Sequence, residues 1–344
     1  MKKRKDYTIR DIARIANVSR STVSLVLNNS DKVSEKTRKK VLAIIKKVGY
    51  HPNYIARSLV SKKSYTIGVI VPKISHLFTD LFFAETISGI IDTLQSKKYD
   101  VMLQVADEEY IKSKAYFKIF KEKRVDGGIF VGNLNTDYYI KEVVDAHYPV
   151  CLVNNSILGI SRVVADNVTG TYEALEHLVK LGHRRIGFIK GLDEVTAGVD
   201  RYLGFKWARE KFGLDKDENL IVFGNFSEQS GYEAMKQLLN LKPLPTAVFA
   251  SNDMMAIGAM KAIKEARLKI PEDISVIGAD NNILSKYVEP KLTTIDQQMY
   301  LMGQKAVELM FEIINEKKYT EPVEIIVPTK LIIRESTGKP RKKL

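Results

Sequence analysis

Two groups of residues in this 344-residue chain have types and spacings that could do chemistry. The first is Arg20-Ser21, placed at the start of a short helix beside Ser19, Thr22 and Ser24. A guanidinium can pair bidentately with O6 and N7 of guanine, and hydroxyls can hold phosphate oxygens. The second is Asn154, Asn252, Asp253 and Asp280, polar residues at or just beyond the ends of the apolar runs Val150–Val153, Ala247–Ala250 and Ser275–Gly278. Such positions lie at the carboxyl ends of strands, where open α/β sheets hold ligands. Amides and carboxylates there supply the donors and acceptors that a polyhydroxylated molecule needs. For Asp253 a helix cap is the better reading; for Asn154 a structural and a ligand role weigh equally.

Reaction chemistry finds little support. The chain has no Walker A loop, no dinucleotide glycine fingerprint opening its first strand–helix unit, no Gly-x-Ser-x-Gly elbow and no His-Glu-x-x-His. Five scattered His and a single Cys, Cys151 inside an apolar strand, argue against a metal centre or thiol catalysis. The expectation is a non-enzyme with no metal and no cofactor. One Cys fits a reducing compartment, and the basic N-terminus is followed by no apolar signal core, so the protein is expected in the cytoplasm, away from membranes.

The elements that must position the two groups lie in regions of different charge. Residues 1–65 hold 17 Lys and Arg against 4 Asp and Glu, which is the whole net charge of +13; the remainder holds 37 of each. A basic piece on a neutral body implies that one end meets a polyanion, here nucleic acid. That piece is patterned for helices. Thr8 and Asp11 form a candidate capping box ahead of the stripe Ile12, Ala13, Ile15, Ala16. Asn17-Val18 makes a tight turn, Ser19 caps Arg20–Leu27 with Val23, Val26 and Leu27 inward, and Asn28–Asp31 turns again. Ser34 caps a third helix, striped by Val41, Leu42, Ile45 and Val48, which stops at Gly49. This is a helix-turn-helix unit, whose second helix enters the major groove amino end first. Arg20 and Ser21 are the candidate base readers, with a phosphate contact the alternative for Arg20. Thr8, Ser19, Thr22, Ser24 and Asn28 are better suited to caps or phosphates.

These residues carry a resemblance. Thr8-Ile9-Arg10-Asp11-Ile12-Ala13, Val18-Ser19-Arg20-Ser21-Thr22-Val23-Ser24 and Val33-Ser34-Glu35-Lys36-Thr37-Arg38 together resemble the DNA-binding head of the lactose-repressor (LacI) family of bacterial transcription regulators. Many members have Arg where this chain has Leu25, which removes one base-reading donor. Tyr50-His51-Pro52-Asn53-Tyr54-Ile55-Ala56-Arg57-Ser58-Leu59 resembles that family's hinge helix. Asn53 to Leu59 is about half the ~12–15 residues that an isolated helix needs, so it should fold only on DNA. The resemblance implies that two such helices, one per subunit, pack in the minor groove with Asn53, Ala56 and Arg57 at the DNA, and that Leu59 wedges between base pairs. The bland alternative is a linker with an incidental apolar residue.

From Tyr65 the pattern becomes strand–helix alternation. Ile67–Val71 reads as a strand buried on both faces, and helices at about 82–96, 111–120, 171–181, 201–212, 231–239 and 254–266 alternate with further apolar runs. Repetition in two consecutive sets implies two lobes of parallel sheet with helices on both faces. This resembles the periplasmic-binding-protein-like body of the same family. That resemblance implies that Arg201, in Val199-Asp200-Arg201-Tyr202-Leu203-Gly204-Phe205, contacts a small effector with Asn252 and Asp280. Asn154 stands where others carry Asp, and Phe226 stands at a ring-stacking position. Leu181-Gly182-His183-Arg184-Arg185 also matches the family and reads as structural.

The expected organisation is therefore an all-α helix-turn-helix head at 1–50, a hinge and linker at 51–64, and an α/β two-lobed domain at 65–344. Its first lobe covers about 65–165 plus a C-terminal return and its second about 166–295. The expected function is a homodimeric repressor of carbohydrate-utilisation genes, bound to a near-palindromic double-stranded operator and controlled by a small sugar or sugar derivative between the lobes. Purine control, or coregulation by a phosphoprotein, is the alternative within the family. No heptad helix follows the last strand, so a coiled-coil tetramer is not expected.

Overall fold

The caps explain the helices of the head. In this computed structural model, which describes residues 7–27, 30–50, 63–74, 77, 80–315 and 321–341, the chain divides into units Met1–Ser64 and Tyr65–Leu344. Helix α1 (Ile9–Ala16) opens on the Thr8–Asp11 capping box and closes on Asn17 in the left-handed conformation, φ 52°. Helix α2 (Arg20–Leu27) starts at Ser19, whose Oγ accepts the Thr22 amide at 3.0 Å. Helix α3 (Glu35–Val48) runs from the Ser34 cap to Gly49 at φ 63°. The core is small: Ile12, Ala13, Ala16, Val23, Val26, Val41 and Tyr50. Two expected stripe residues are outside it, since Ile15 and Leu42 are each 45% exposed. Leu42 lies about 100° round the helix from Val41. The inward face of α3 is completed by Ile44, Ile45 and Val48 instead.

The second unit consists of two six-stranded sheets. In the first lobe, β1 (Thr66–Pro72) lies between the edge strand β2 (Asp100–Ala106) and β3 (Gly127–Val131), parallel to both. Beyond β3 come β4 (Val150–Val153) and β5 (Arg162–Ala165). Helices α4 (Leu81–Ser96), α5 (Glu108–Lys112), α6 (Ala115–Lys121) and α7 (Tyr139–Asp145) cover it. The single helix expected at 111–120 is two, because Lys114 adopts φ 52° between them.

The chain crosses to the second lobe at Asp166 and builds α8 (Asn167–Leu181), β6 (Ile186–Lys190), α9 (Thr196–Lys211), β7 (Ile221–Phe223) and α10 (Glu228–Leu239). Then follow β8 (Ala247–Ala250), α11 (Asp253–Glu265), β9 (Ser275–Asp280) and β10 (Thr293–Asp296). It returns to the first lobe as α12 (Met299–Ile314) and β11 (Glu324–Val327), which pairs with β5, and crosses a third time to β12 (Lys330–Ile332). Helix α12 supplies Met302, Ala306, Val307, Leu309 and Met310 to the first lobe's core. All pairings are parallel except β10 with β12. The exception follows from the path: β10 leaves the second lobe through the crossover, and β12 enters by the same side. The carboxyl ends of β1, β3 and β4 in one lobe, and of β6, β8 and β9 in the other, lead into the segments that carry the strand-end residues.

Candidate functional site

In the head, the chemistry rests on which polar groups are already committed. Thr8 is: its Oγ1 donates to Asp11 Oδ2 at 2.8 Å and accepts the Asp11 amide at 3.4 Å. Ser19 is likewise the cap of α2, and its Oγ also meets the Ser21 and Thr22 hydroxyls at 2.6 and 2.8 Å. Arg20 and Ser21 project from the first residues of α2 and are exposed; Thr22, Ser24 and Leu25 are half-buried along the same helix. A guanidinium at the exposed amino end of a helix can reach base edges or phosphates. Asn28, Asn53, Ala56, Arg57 and Leu59 lie outside the described residues.

In the second unit, Arg201 is the centre of a buried polar cluster. Helix α9 begins at Thr196, five residues before the expected start, so Arg201 sits in its second turn and is 2% exposed. Its Nε donates to Asn167 Oδ1 at 3.0 Å and its Nη1 to the Ser251 carbonyl. Nη2 lies 3.5 Å from Asp280 Oδ1 but completes no hydrogen bond. Burial lowers the proton affinity of Arg201, opposed chiefly by the charge of Asp280. Asp280 is the last residue of β9, two residues further along the strand than expected, and takes φ 129° followed by Asn281 at φ 53°. Non-glycine residues in that region hold strain that their surroundings must enforce. Gln297 Nε2 donates to Asp280, while burial pushes the Asp280 carboxyl well above the usual range despite Arg201.

The cap expected of Asp253 is supplied by Asn252. Helix α11 starts one residue earlier than expected, so the cap is Asn252: its Oδ1 accepts the Met255 amide at 2.9 Å. Its Nδ2 donates to the Phe226 carbonyl at 2.9 Å. Asn252 therefore anchors the Phe226 loop, and only its second N–H is left for another partner. Asp253, expected as the cap, is fully buried and accepts from Thr294 Oγ1 and from the Asn282 amide. Burial raises its carboxyl to about 6. Phe226, at φ 70°, lays its half-buried ring against Gly191 at the end of β6, where a Cβ would collide with it. Among the described residues no hydrogen bond or ion pair joins Asn154 to this cluster: it follows β4 at φ 55°, 5% exposed, and its Oδ1 has no partner.

Two residues of the same kind escaped the sequence reading. Asn133 follows β3 and is fully buried; its Nδ2 donates to Tyr139 Oη at 3.0 Å and its Oδ1 is unpartnered. Gln297 follows β10 and has an unpartnered Oε1. The strand-end rule would have found Asn133 had it been applied to β3, and Gln297 had β10 been recognised. A clasp between the lobes was not legible at all. Asn135 donates its amide to the Glu194 carbonyl at 2.8 Å, and its Oδ1 accepts from Thr196 Oγ1 at 2.7 Å. On the first-lobe rim, Phe82 and Phe83 meet edge to face at 5.1 Å and pack on Gly132. His183 is structural: it bonds Thr246 Oγ1 at 2.9 Å and the Gly338 carbonyl at 2.8 Å.

Unpaired buried polar atoms cost about 1–3 kcal/mol each, so several near one cleft indicate partners supplied from outside the chain. Comparison with known proteins agrees with this organisation. Residues 8–53 match the family described as bacterial regulatory proteins, lacI family, and residues 175–337 match the periplasmic binding protein-like domain. The chain is 36% identical over 335 residues to catabolite control protein A of Priestia megaterium, covering 96% of this chain and 99% of that protein. Among solved structures, it is similar to the lac repressor dimer bound to operator and the anti-inducer ONPF. That match has a TM-score of 0.85 and 29% identity, over 97% of this chain and 100% of that one. It is also similar to the transcriptional regulator CelR–cellobiose complex, with a TM-score of 0.74 and 31% identity, over 96% and 99% of the two chains.

Proposed function

This chain belongs to the lacI family of bacterial regulatory proteins, and on that premise we propose that it is a homodimeric repressor of carbohydrate-utilisation genes whose operator affinity is set by a sugar held between the two lobes. One observation carries the effector part. A buried guanidinium, carboxylates and amides with unpartnered atoms gather beside the half-buried Phe226 ring, at the crossovers that join the lobes. Hydroxyls can satisfy those atoms, and an aromatic face covers the apolar face of a pyranose. The CelR–cellobiose and lac repressor–operator structures support the same assignment by similarity.

In this reading Arg20 and Ser21 read base edges, Thr22, Ser24 and Asn28 hold phosphates, and Thr8 and Ser19 brace the helices that present them. The 51–64 segment is the hinge, with Leu59 as a wedge that bends the operator at the dyad. Arg201, Asp280, Asn154 and the free N–H of Asn252 bind the effector, joined by Asn133 and Gln297. Ligand binding in the cleft adjusts the lobes; a coupling of about 1–3 kcal/mol changes operator affinity about 5–150-fold. In this reading the protein works in the cytoplasm as a regulator, and its cleft binds by hydrogen bonding and stacking.

The test is to bind the full chain to sheared genomic DNA of its source at moderate salt, sequence what is retained, and repeat with candidate sugars. A shared near-palindrome upstream of sugar-uptake or glycosidase genes, released by one sugar, is the expected result. Retained fragments without a common site would leave only electrostatic binding.

A further inference from the structure

We infer that the cleft takes an uncharged or cationic hydroxyl-rich ligand and turns away anionic ones, phosphorylated sugars and hexuronates included, with Asp80 sharpening that choice. This rests on the carbohydrate reading above and narrows it. The first argument is the inventory of unpartnered buried atoms. Among those of the strand-end residues and the Arg201 cluster, three are acceptors, Asn133 Oδ1, Asn154 Oδ1 and Gln297 Oε1, and two are donors, Arg201 Nη2 and Asn167 Nδ2. The orientation of two of the amides is set by carboxylates. Asn133 Nδ2 faces Asp137 Oδ2 at 3.4 Å, and Gln297 Nε2 bonds Asp280, so their carbonyl ends are the open ones. Carboxylate oxygens of Asp280 and Asp80 add further acceptors. A polyol has protons to give to all of these and oxygens for the Arg201 Nη2 donor. A phosphate or carboxylate has none to give.

The second argument is the charge around the cluster. Arg201 faces Asp280, and both Arg334 and Arg201 act on Asp253. The Arg334 guanidinium is committed to Ser285 Oγ at 3.1 Å, the Leu292 carbonyl at 2.6 Å and Asn281 Oδ1 at 2.5 Å. Lys190, the buried cation at the end of β6, is held by Asp193. Asp80 comes from the other lobe as the exposed cap of α4, accepting the Phe82 amide at 3.0 Å, where Phe82 and Phe83 pack on Gly132 beyond the end of β3; its charge acts on Asp280. Among the described residues Asp80 makes no ion pair.

The third argument is narrower: two helix amino ends, natural anion holders, are capped from within the chain, α4 by Asp80 and α11 by Asn252, while that of α9 has no side-chain cap.

The test uses the full chain, thermal melting and titration calorimetry, with matched probes: glucose, glucosamine, glucose 6-phosphate and glucuronate, and cellobiose with cellobionate. In a series that binds, the neutral or amino member is expected to bind at least about tenfold more tightly than its anionic partner. Asp80→Asn keeps a competent helix cap and is expected to shrink that gap severalfold. An anionic member binding as tightly as its neutral counterpart overturns the inference and leaves the carbohydrate reading standing. An unchanged gap in Asp80→Asn removes the role of Asp80. Failure of every probe to bind a protein that still holds operator removes the carbohydrate reading, and this inference with it.

Discussion

The two regions of this molecule handle polar groups in opposite ways. In the head, the candidate base readers Arg20 and Ser21 stand exposed on a helix whose own caps are satisfied by neighbours, so their function is independent of the small core beneath them. In the cleft, Arg201 and Asp253 are buried and Asp280 is half-buried, and each is tied to the others or to backbone. Recognition by exposed groups can be altered with little effect on folding. Recognition by a buried, mutually dependent cluster cannot, because the groups that would meet the ligand also hold the lobe together.

The strongest way to break this comparison is Arg201→Ala. It leaves Asp280 without its ion-pair partner and Asp253 with Arg334 alone, and removing one partner of a buried pair costs about 3–5 kcal/mol. The expected outcome is a body that unfolds at markedly lower urea and no longer responds to effector, while salt-sensitive DNA binding through the head survives. Wild-type stability in urea denaturation would show that the cluster is not the structural unit described here. The counterpart is Arg20→Ala. Its stability should stay within about 0.5 kcal/mol of the parent, as for exposed positions generally. Its affinity for the operator should fall by about 1–3 kcal/mol with relaxed preference at one base pair, read by gel shift on single-base operator variants. Equal loss on every sequence would make Arg20 a phosphate contact.

The same contrast explains how much could be read in advance. The head was legible almost to the residue, because caps and turns are local: Thr8, Asn17, Ser19, Ser34 and Gly49 each act within a few residues of themselves. Its two misreadings, Ile15 and Leu42, concern which side of a helix faces a core made by other helices. In the body, the strand–helix alternation and the strand-end polar residues were legible. The assignment within Asn252-Asp253 was not, since a one-residue change in the start of α11 exchanges the cap with the buried acid. Nor was the clasp of Asn135 with Thr196 and Glu194, which joins residues about sixty apart through two lobes. Helix α12 and the third crossover were missed because their apolar residues complete a sheet formed more than 130 residues earlier.

The smallest predicted effect sharpens the contrast through pH. Asp200 on α9 is half-buried, and burial raises its carboxyl to about 6, against the pull of Arg201 and Arg162. With a folded value above the unfolded one, the folded state binds more protons between about pH 4 and 6, so this group's contribution to stability falls as pH rises through that window. Above it, the ionised carboxylate is a standing penalty. Asp200→Asn removes the penalty, so the variant should melt about 1–2 °C higher than the parent at pH 8, with the difference closing toward pH 4. The acid in the head's ion pair, Asp11 with Arg14, is set differently: it caps α1 and meets a cation at 2.9 Å. Neutralising it should give no gain at pH 8. A melting series from pH 4 to 8 on both variants decides the matter. If Asp200→Asn is neutral or destabilising at pH 8, then the ion pairs around Asp200, and not its burial, govern that corner of the cleft.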